Sequence, residues 1–589
     1  MKVFEANITC QVSEFLNSFL KNITSFEKAN QKMNDAFGII HLFDSNDELE
    51  ILKETISISS NIVSEPDRAE YGDFQTNEDL AKKVTSFLSN KKVNPKIVIE
   101  PTCGKGNFVI ASLSTFSNIE KVFGIEIYKP YVWETKFNII EFYLNNSQKQ
   151  KPQISIIHCD VFDYDFTSLS KQFFAKEILV IGNPPWVTNS KLGSLNSSNL
   201  PKKTNFKNHS GLDAMTGKGN FDIAEFITLK MLELFQNIKG NLLLLVKNSV
   251  IKNIVSDQAI NKYSISEIEK HCIDSKKEFN VSVEASLFYC KLKSKTQNYC
   301  TQYNFYNNQN PTLQFGWLDD KFVSNIDTYF NTKNIDGECP FVWRQGLKHD
   351  CSSIMELDKI NGHYVNGLNE EIKLENDLVY GLLKSSDLKN TVINQTRKYT
   401  IVTQKKVGQE TKYIKDEFPK TFQYLTNHQD SFNARKSSIY NNKPAFSIFG
   451  IGDYSFKPYK VAISGLYKTF HFTLILPQNE KPVMLDDTCY LIGFDKIEFA
   501  VYTLILLNSD TTVQFLQSVT FADAKRTFTK DVLMRINLLE LATTIDKNYL
   551  KKEIERLNVM YNFSLTLCLW NKFIEEMMPI NNVQVELFA

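Results

Sequence analysis

At 589 residues, 42% of them apolar, this chain is too long for one ordinary domain and too apolar for a disordered one, so two or three domains are expected. Its 67 basic and 67 acidic side chains cancel to zero net charge, which excludes a uniformly polybasic chain but not local phosphate-binding patches. No signal-like or membrane-length apolar stretch occurs and the ten cysteines form no Cys-x-x-Cys pair, so a cytoplasmic chain in a reducing compartment, without a membrane partner, is expected. Residues 1–65 read as helical, with Val12, Phe15, Leu16 and Phe19 at helical spacing, and are expected to brace the domain C-terminal to them. No Asp or Glu is followed two residues later by Lys before Tyr71, so no nuclease is expected there.

Tyr71-Gly72-Asp73-Phe74-Gln75-Thr76-Asn77-Glu78-Asp79-Leu80-Ala81 precedes the first buried strand, Ile97-Val98-Ile99. That strand runs through Glu100-Pro101-Thr102-Cys103-Gly104-Lys105-Gly106-Asn107-Phe108 into a helix, and the glycines let the backbone approach a ligand closely. A second strand, Val122 to Ile125, ends at Glu126, twenty residues after Gly106, where an acid is placed to accept both hydroxyls of a ribose. A third, Ile154 to Ile157, leads to Asp160-Val161-Phe162, an acid beside an aromatic. A fourth, Ile178 to Ile181, delivers Asn183-Pro184-Pro185-Trp186 to the sheet edge. The prolines fix φ and lack an N–H, so this loop is stiff and its carbonyls point outward. An amide, a free carbonyl and a flat aromatic face in one turn can grip a planar amino group, accept both its hydrogens and stack on its ring. The bland alternative is a rigid turn in which Trp186 merely packs. Strand-then-polar-tip units separated by helix-length segments predict a parallel α/β sheet with its site at the strand C-termini.

Thr188 to Gly219 is long and polar, and carries Lys191, Lys202, Lys203, Lys207, His209 and Lys218. It reads as a loop that orders around a DNA backbone, with Lys202 and Lys203 on phosphates, or as a solvated insertion. Asp222 is placed to cap the helix after it. Beyond about residue 300 come short β-rich runs with turns, including Phe341-Val342-Trp343-Arg344-Gln345-Gly346-Leu347-Lys348-His349-Asp350 and the run Ser447 to Val461. Aromatics interleaved with Arg435, Lys436, Lys443, Lys457, Lys460 and Lys468 suit a phosphate-tracking, base-reading surface, with a sheet of solvated lysines and core aromatics as the alternative. Residues 540–575 read as helical, with Leu550, Ile554, Leu557 and Tyr561 at helical steps.

In this order and spacing the motifs between residues 70 and 290 resemble those of S-adenosylmethionine-dependent DNA adenine-N6 methyltransferases in which the cofactor region precedes the catalytic loop. The two C-terminal stretches are similar to that family's recognition domain. The resemblance implies a Rossmann-like, mostly parallel seven-stranded methyltransferase sheet plus a mixed α+β target-recognition domain. It divides the chain into a helical extension (1–65), a methyltransferase domain (66–300) and a DNA-binding domain with C-terminal helices (301–589), with a DNA cleft between two lobes. It implies S-adenosylmethionine as cofactor, lined by Glu100, Pro101, Thr102, Cys103, Gly104, Gly106, Asn107 and Phe108. Thr76 and its neighbours would contact the methionine end, Glu126 the ribose, and Asp160 and Phe162 the adenine, with Ile127 and Val161 also in the cofactor set. Cys103 would serve as a small residue rather than a nucleophile.

The same resemblance assigns the Asn183 side chain and the Pro184 carbonyl to the N6 hydrogens of an adenine flipped out of double-stranded DNA. Pro185 stiffens the turn, Trp186 supplies one stacking face, and Phe279 supplies the other unless it is an ordinary core aromatic. Lys105 stands where the family more often has Ser or Thr, and is expected to face solvent or the cofactor carboxylate. Trp186 stands where the family more often has Tyr. Cytosine-C5 chemistry is disfavoured because no Pro-Cys dipeptide occurs, and the eight scattered histidines offer no metal site. The implied role is the modification part of a restriction–modification system, a monomer with the endonuclease on another chain. RNA-adenine or protein-glutamine methylation, or a DNA-binding subunit with decayed catalysis, are the alternatives.

Overall fold

The computed structural model describes residues 6–57, 74–173, 176–187, 222–307, 310–466, 470–521 and 528–578. The chain divides into two units, Met1–Phe322 and Val323–Ala589. Among the described residues no helix is long and apolar enough to cross a membrane.

Short runs of branched apolar residues form the centre of the first unit. Strands β1 (Ile97–Glu100), β2 (Lys121–Glu126), β3 (Gln153–His158), β4 (Ile178–Gly182) and β5 (Gly240–Lys247) are parallel, in the order β3-β2-β1-β4-β5. Strand β7 (Ala285–Leu292) runs antiparallel between β5 and β6 (Ile265–Cys272). Every residue of β1 and β4 is buried, which is why these strands read as unbroken apolar runs rather than alternating ones. Strand order reverses between β1 and β4, so the crevice for a ligand opens beyond their carboxyl ends.

The boundary expected after residue 300 is displaced. Strands β8 (Tyr299–Asn304), β9 (Leu313–Leu318) and β10 (Lys321–Val323) extend the same sheet past β6 to ten strands. Short β-rich runs look alike whether they end one sheet or begin another.

The N-terminal helices α1 (Cys10–Leu20), α2 (Phe26–Phe37) and α3 (Asn46–Ser57) pack on this unit. Helices α4 (Glu78–Asn90), α5 (Asn107–Thr115) and α6 (Lys129–Asn145) come next in the chain. The turn after α2 is fixed by Asn30, whose Oδ1 accepts the Leu42 and Phe43 amides at 2.9 Å and whose Nδ2 donates to the Phe43 carbonyl at 2.8 Å. Buried Lys136 of α6 donates to the Leu42 carbonyl at 2.9 Å. The segment after α2 also lies along β3: Ile154 N–H donates to Gly38 O at 2.7 Å and Ile40 N–H to Ile154 O at 3.0 Å. Gly38 has φ +75° and a Cβ there would sit 2.0 Å from the Pro152 carbonyl, so only glycine allows the approach.

The second unit holds two sheets. One has five strands, among them β11 (Tyr459–Ser464) between β12 (Thr473–Ile475) and β13 (Cys489–Phe494); the other has six. Helix Lys547–Tyr561 buries Leu550, Ile554 and Leu557, as its spacing predicts. Trp343, in the stretch expected to open the recognition domain, is fully buried against Phe472.

Two residues expected on a DNA-reading surface, Lys460 and Arg435, are placed otherwise. Lys460 is 0% exposed and its ammonium donates to the Lys457 carbonyl at 2.7 Å, so it cannot meet a phosphate. The reason is that β11 is a central strand buried on both faces, so the alternation that would put a lysine in solvent does not apply. Arg435 donates to the His349 and Ser447 carbonyls and lies 3.7 Å over the Tyr440 ring, a structural clamp. Lys457 is half-buried and paired with Asp495. Lys468 lies outside the described residues.

Burial holds the Lys460 ammonium down to about 7. Between that pH and the ordinary lysine value the unfolded chain keeps a proton that the folded chain has shed, so stability rises with pH across this window. Lys460→Met is therefore expected to raise Tm at pH 6 and to flatten the rise between pH 7 and 10. Melting curves at both ends check this; an unchanged slope in the variant would count against it.

Candidate active site

The carboxyl ends of β1, β2, β3 and β4 and the start of the following helices surround a cavity of about 1000 Å³. Every residue from Glu100 to Gly104, with Asn107 and Phe108, borders it, as do Thr76, Glu126, Ile127, Asp160, Val161, Phe162, Asn183 and Pro185. Nearly all the cofactor residues expected from the sequence therefore converge.

The loop after β1 is shaped from both sides. Gly104 (φ +53°) and Gly106 (φ +80°) turn the chain, and a Cβ on Gly106 would lie 2.6 Å from the Thr135 side chain. Thr135 donates to the Gly104 carbonyl at 2.8 Å, and Asn138 to the Lys105 carbonyl at 2.9 Å, so α6 grips the loop's outer edge. Glu126 holds the inner edge: its Oε2 accepts the Gly104 amide at 2.9 Å and its Oε1 the Tyr128 amide at 2.7 Å. Asp160 Oδ1 accepts the Phe162 amide at 2.8 Å, while Lys230 ties down the Val161 and Phe162 carbonyls at 2.7 and 3.0 Å. Burial raises the Asp160 carboxyl.

Lys105, its side chain 23% exposed, is not among the residues that border the cavity. Its ammonium lies 3.5 Å from Glu134 and 5.2 Å from the Tyr131 ring centroid, which turns the charge away. Cys103 is buried and burial pushes its thiol well up, as befits a packing residue.

Asn183 is oriented without ambiguity. Its Nδ2 donates to the Phe74 carbonyl at 2.7 Å, which leaves Oδ1 turned the other way, buried and with no hydrogen-bond partner among the described residues. Trp186 is 6% exposed, and its indole N–H donates to the Leu245 carbonyl at 3.2 Å. Its ring meets Phe74 at 5.4 Å and Phe279 edge-on at 5.1 Å. The two rings expected to stack on a base thus touch each other, and no third ring fits between them.

Asp222 caps α7 (Ile223–Phe235), accepting the Ala224 amide at 3.0 Å, and pairs with Lys247. Burial raises its carboxyl despite that lysine. Asp222→Ala removes the cap and leaves Lys247 buried and unpaired, with an expected cost of about 3 kcal/mol. Denaturant melts measure it; a loss well under 1 kcal/mol would contradict the pairing. Lys202, Lys203, the rest of the Thr188–Gly219 loop, and Tyr71 to Asp73 lie outside the described residues.

Sequence reasoning missed Tyr128, Tyr131 and Ile227, which border the cavity; Gln75, beside Thr76, borders it too and accepts the Lys105 amide at 3.2 Å. The pair Ile223 and Ile227, four apart at a helix start, was a usable signal.

The cavity fits S-adenosylmethionine. Glu100, Glu126 and Asp160 border it, and no Lys, Arg or His does among the described residues, which suits a sulfonium and an ammonium but repels phosphates. Among the described residues Thr76 Oγ1, Glu100 Oε2, Thr102 Oγ1 and Asn183 Oδ1 are buried without hydrogen-bond partners, a cost that a polar ligand relieves. Glu100 is 2% exposed and its carboxyl is pushed well up by burial, with Glu126 adding to the shift.

No family model matches the chain. It is 41% identical over 483 residues, 82% of its length and 99% of the relative's, to the type II methyltransferase M.NspV of Nostoc sp.. Among solved structures, the type IIL restriction–modification enzyme MmeI, in complex with DNA, matches with a TM-score of 0.50 at 12% identity, over 97% of this chain and 93% of that one. The sequence identity carries the assignment and the structure shares the fold: the chain belongs to the type II methyltransferases of restriction–modification systems, and its methyl donor is S-adenosylmethionine.

Proposed function

We propose that this enzyme methylates N6 of an adenine flipped out of duplex DNA, within one short recognition sequence. The observation that carries this reading is Asn183, whose amide nitrogen is committed to Phe74 and whose oxygen remains a buried acceptor beside the cofactor cavity. Adenine N6 is a poor nucleophile because its lone pair is conjugated into the ring. Asn183 Oδ1 takes one N6 hydrogen and the Pro184 carbonyl the other, which favours a pyramidal nitrogen and holds it in line for attack. The bound cofactor supplies the electrophilic methyl. Trp186, fixed by Leu245, gives the base a rigid aromatic neighbour. Asn rather than Ser or Asp before Pro-Pro favours adenine over cytosine N4. The cognate endonuclease is a separate chain, in keeping with the absence of a nuclease pattern before Tyr71.

Expression in a methylation-free bacterial host, followed by sequencing of its DNA with modification detection, tests this. N6-methyladenine confined to one motif is expected. An unmodified genome from soluble protein that binds S-adenosylmethionine would overturn the reading.

A further inference from the structure

A second cavity in the first unit, about 1310 Å³ with the solvent at its mouth, lies between α4 and strands β6 and β8. Its walls combine charge and flat apolar surface. Lys82 and Lys83 stand on the exposed face of α4, with Lys82 in an exposed pair with Glu78 at 3.2 Å. Tyr303, Phe305 and Tyr306 supply aromatic surface, and Tyr306 is 39% exposed.

His271 lines the same cavity, 1% exposed and stacked on Tyr303 with centroids 5.0 Å apart. Its Nε2 lies 2.8 Å from Glu269 Oε2, and Glu269 Oε1 accepts from Lys91 at 2.8 Å. An ionised carboxylate can only accept, so Nε2 carries the hydrogen and, in the neutral ring, Nδ1 is an acceptor. That Nδ1 is buried and has no hydrogen-bond partner among the described residues. A lone buried acceptor is costly unless a ligand supplies an N–H or O–H.

We propose that this cavity is a nucleoside-phosphate site. A planar base lies on the aromatic wall, an amino or hydroxyl hydrogen satisfies His271 Nδ1, and a phosphate rests between Lys82 and Lys83. A free mononucleotide and a nucleotide of a DNA strand share this chemistry. The connection to the target site points to the strand, a step that rests on the DNA reading above. Glu278 joins the two cavities: it accepts Tyr306 O–H at 2.6 Å and Asn77 Nδ2 at 3.0 Å. Asn77 follows Thr76 of the cofactor cavity, and Phe279, next to Glu278, touches Trp186. The cavity then takes a nucleotide unstacked near the target base.

The test uses the full chain, with a labelled oligonucleotide read by anisotropy and unlabelled dAMP as a second probe. Tyr303→Ala and the double variant K82Q/K83Q are each expected to weaken oligonucleotide binding about tenfold with S-adenosylmethionine affinity unchanged, and the double variant to lower the salt dependence. Because Tyr303→Ala can disturb folding, the surface variant K82Q/K83Q decides in that case. Wild-type and variant proteins binding DNA alike would overturn the cavity while leaving the proposed function standing. If wild type binds no DNA, the proposed function fails and dAMP decides. Loss of dAMP binding in the variants then identifies a free-nucleotide site, and dAMP bound equally or not at all overturns the proposal.

Discussion

Asn183→Ala is expected to lower the single-turnover rate of methyl transfer by about 100- to 1000-fold while S-adenosylmethionine affinity falls less than about tenfold. The asymmetry follows from the geometry. In the proposed mechanism the Asn183 oxygen is the acceptor that strengthens its hold on the amino group as the nitrogen becomes pyramidal, so its loss is felt in the transition state. The Asn183 nitrogen only steadies Phe74, at the border of the cofactor cavity. Tritium transfer to a duplex bearing the site, beside calorimetry with the cofactor, separates the two effects. A rate within tenfold of wild type would remove Asn183 from the chemistry. A matched collapse of cofactor binding would make it a structural residue.

Glu126→Ala is expected to weaken S-adenosylmethionine binding by about 100-fold or more. The carboxylate accepts the Gly104 and Tyr128 amides, and in the proposed reading it has a second task, binding the ribose hydroxyls. Hydrogen bonds to a charged group contribute about 1.5–3 kcal/mol each, and about 1.4 kcal/mol is tenfold in affinity. Glu126→Gln separates the tasks, because an amide can accept from one backbone N–H but turns a donor toward the other. It is expected to fall between wild type and Glu126→Ala in calorimetric affinity. If all three proteins bind alike, the acid does not organise the cavity.

The cofactor half of the site was legible because its residues sit in short motifs at strand ends, where local chemistry is dictated by sequence neighbours. Glu100, Gly104 and Asn107 share one turn, and the buried runs before them announce the strands. What escaped depends on distant partners. The indole of Trp186 is held by Leu245 and bordered by Phe74, neither of them near it in sequence. Lys105 turns to Glu134 because α6 passes behind the loop. Lys460 misled because a lysine between Tyr459 and Val461 reads as the wet face of a strand. Only pairing of β11 on both sides, with both faces covered, shows otherwise.

The backbone bonds that Gly38 and Ile40 make to Ile154 cover part of β3, the outer strand at one end of the ten-stranded sheet. An uncovered outer strand presents a row of amides and carbonyls on which another chain can build, the usual start of aggregation. A shortened protein beginning at Phe74 would keep its catalytic loop and expose that row, so precipitation rather than lost chemistry would limit its use. The N-terminal helices therefore set where this enzyme can be trimmed or fused: any cut that keeps it soluble leaves residues 38–40 in place.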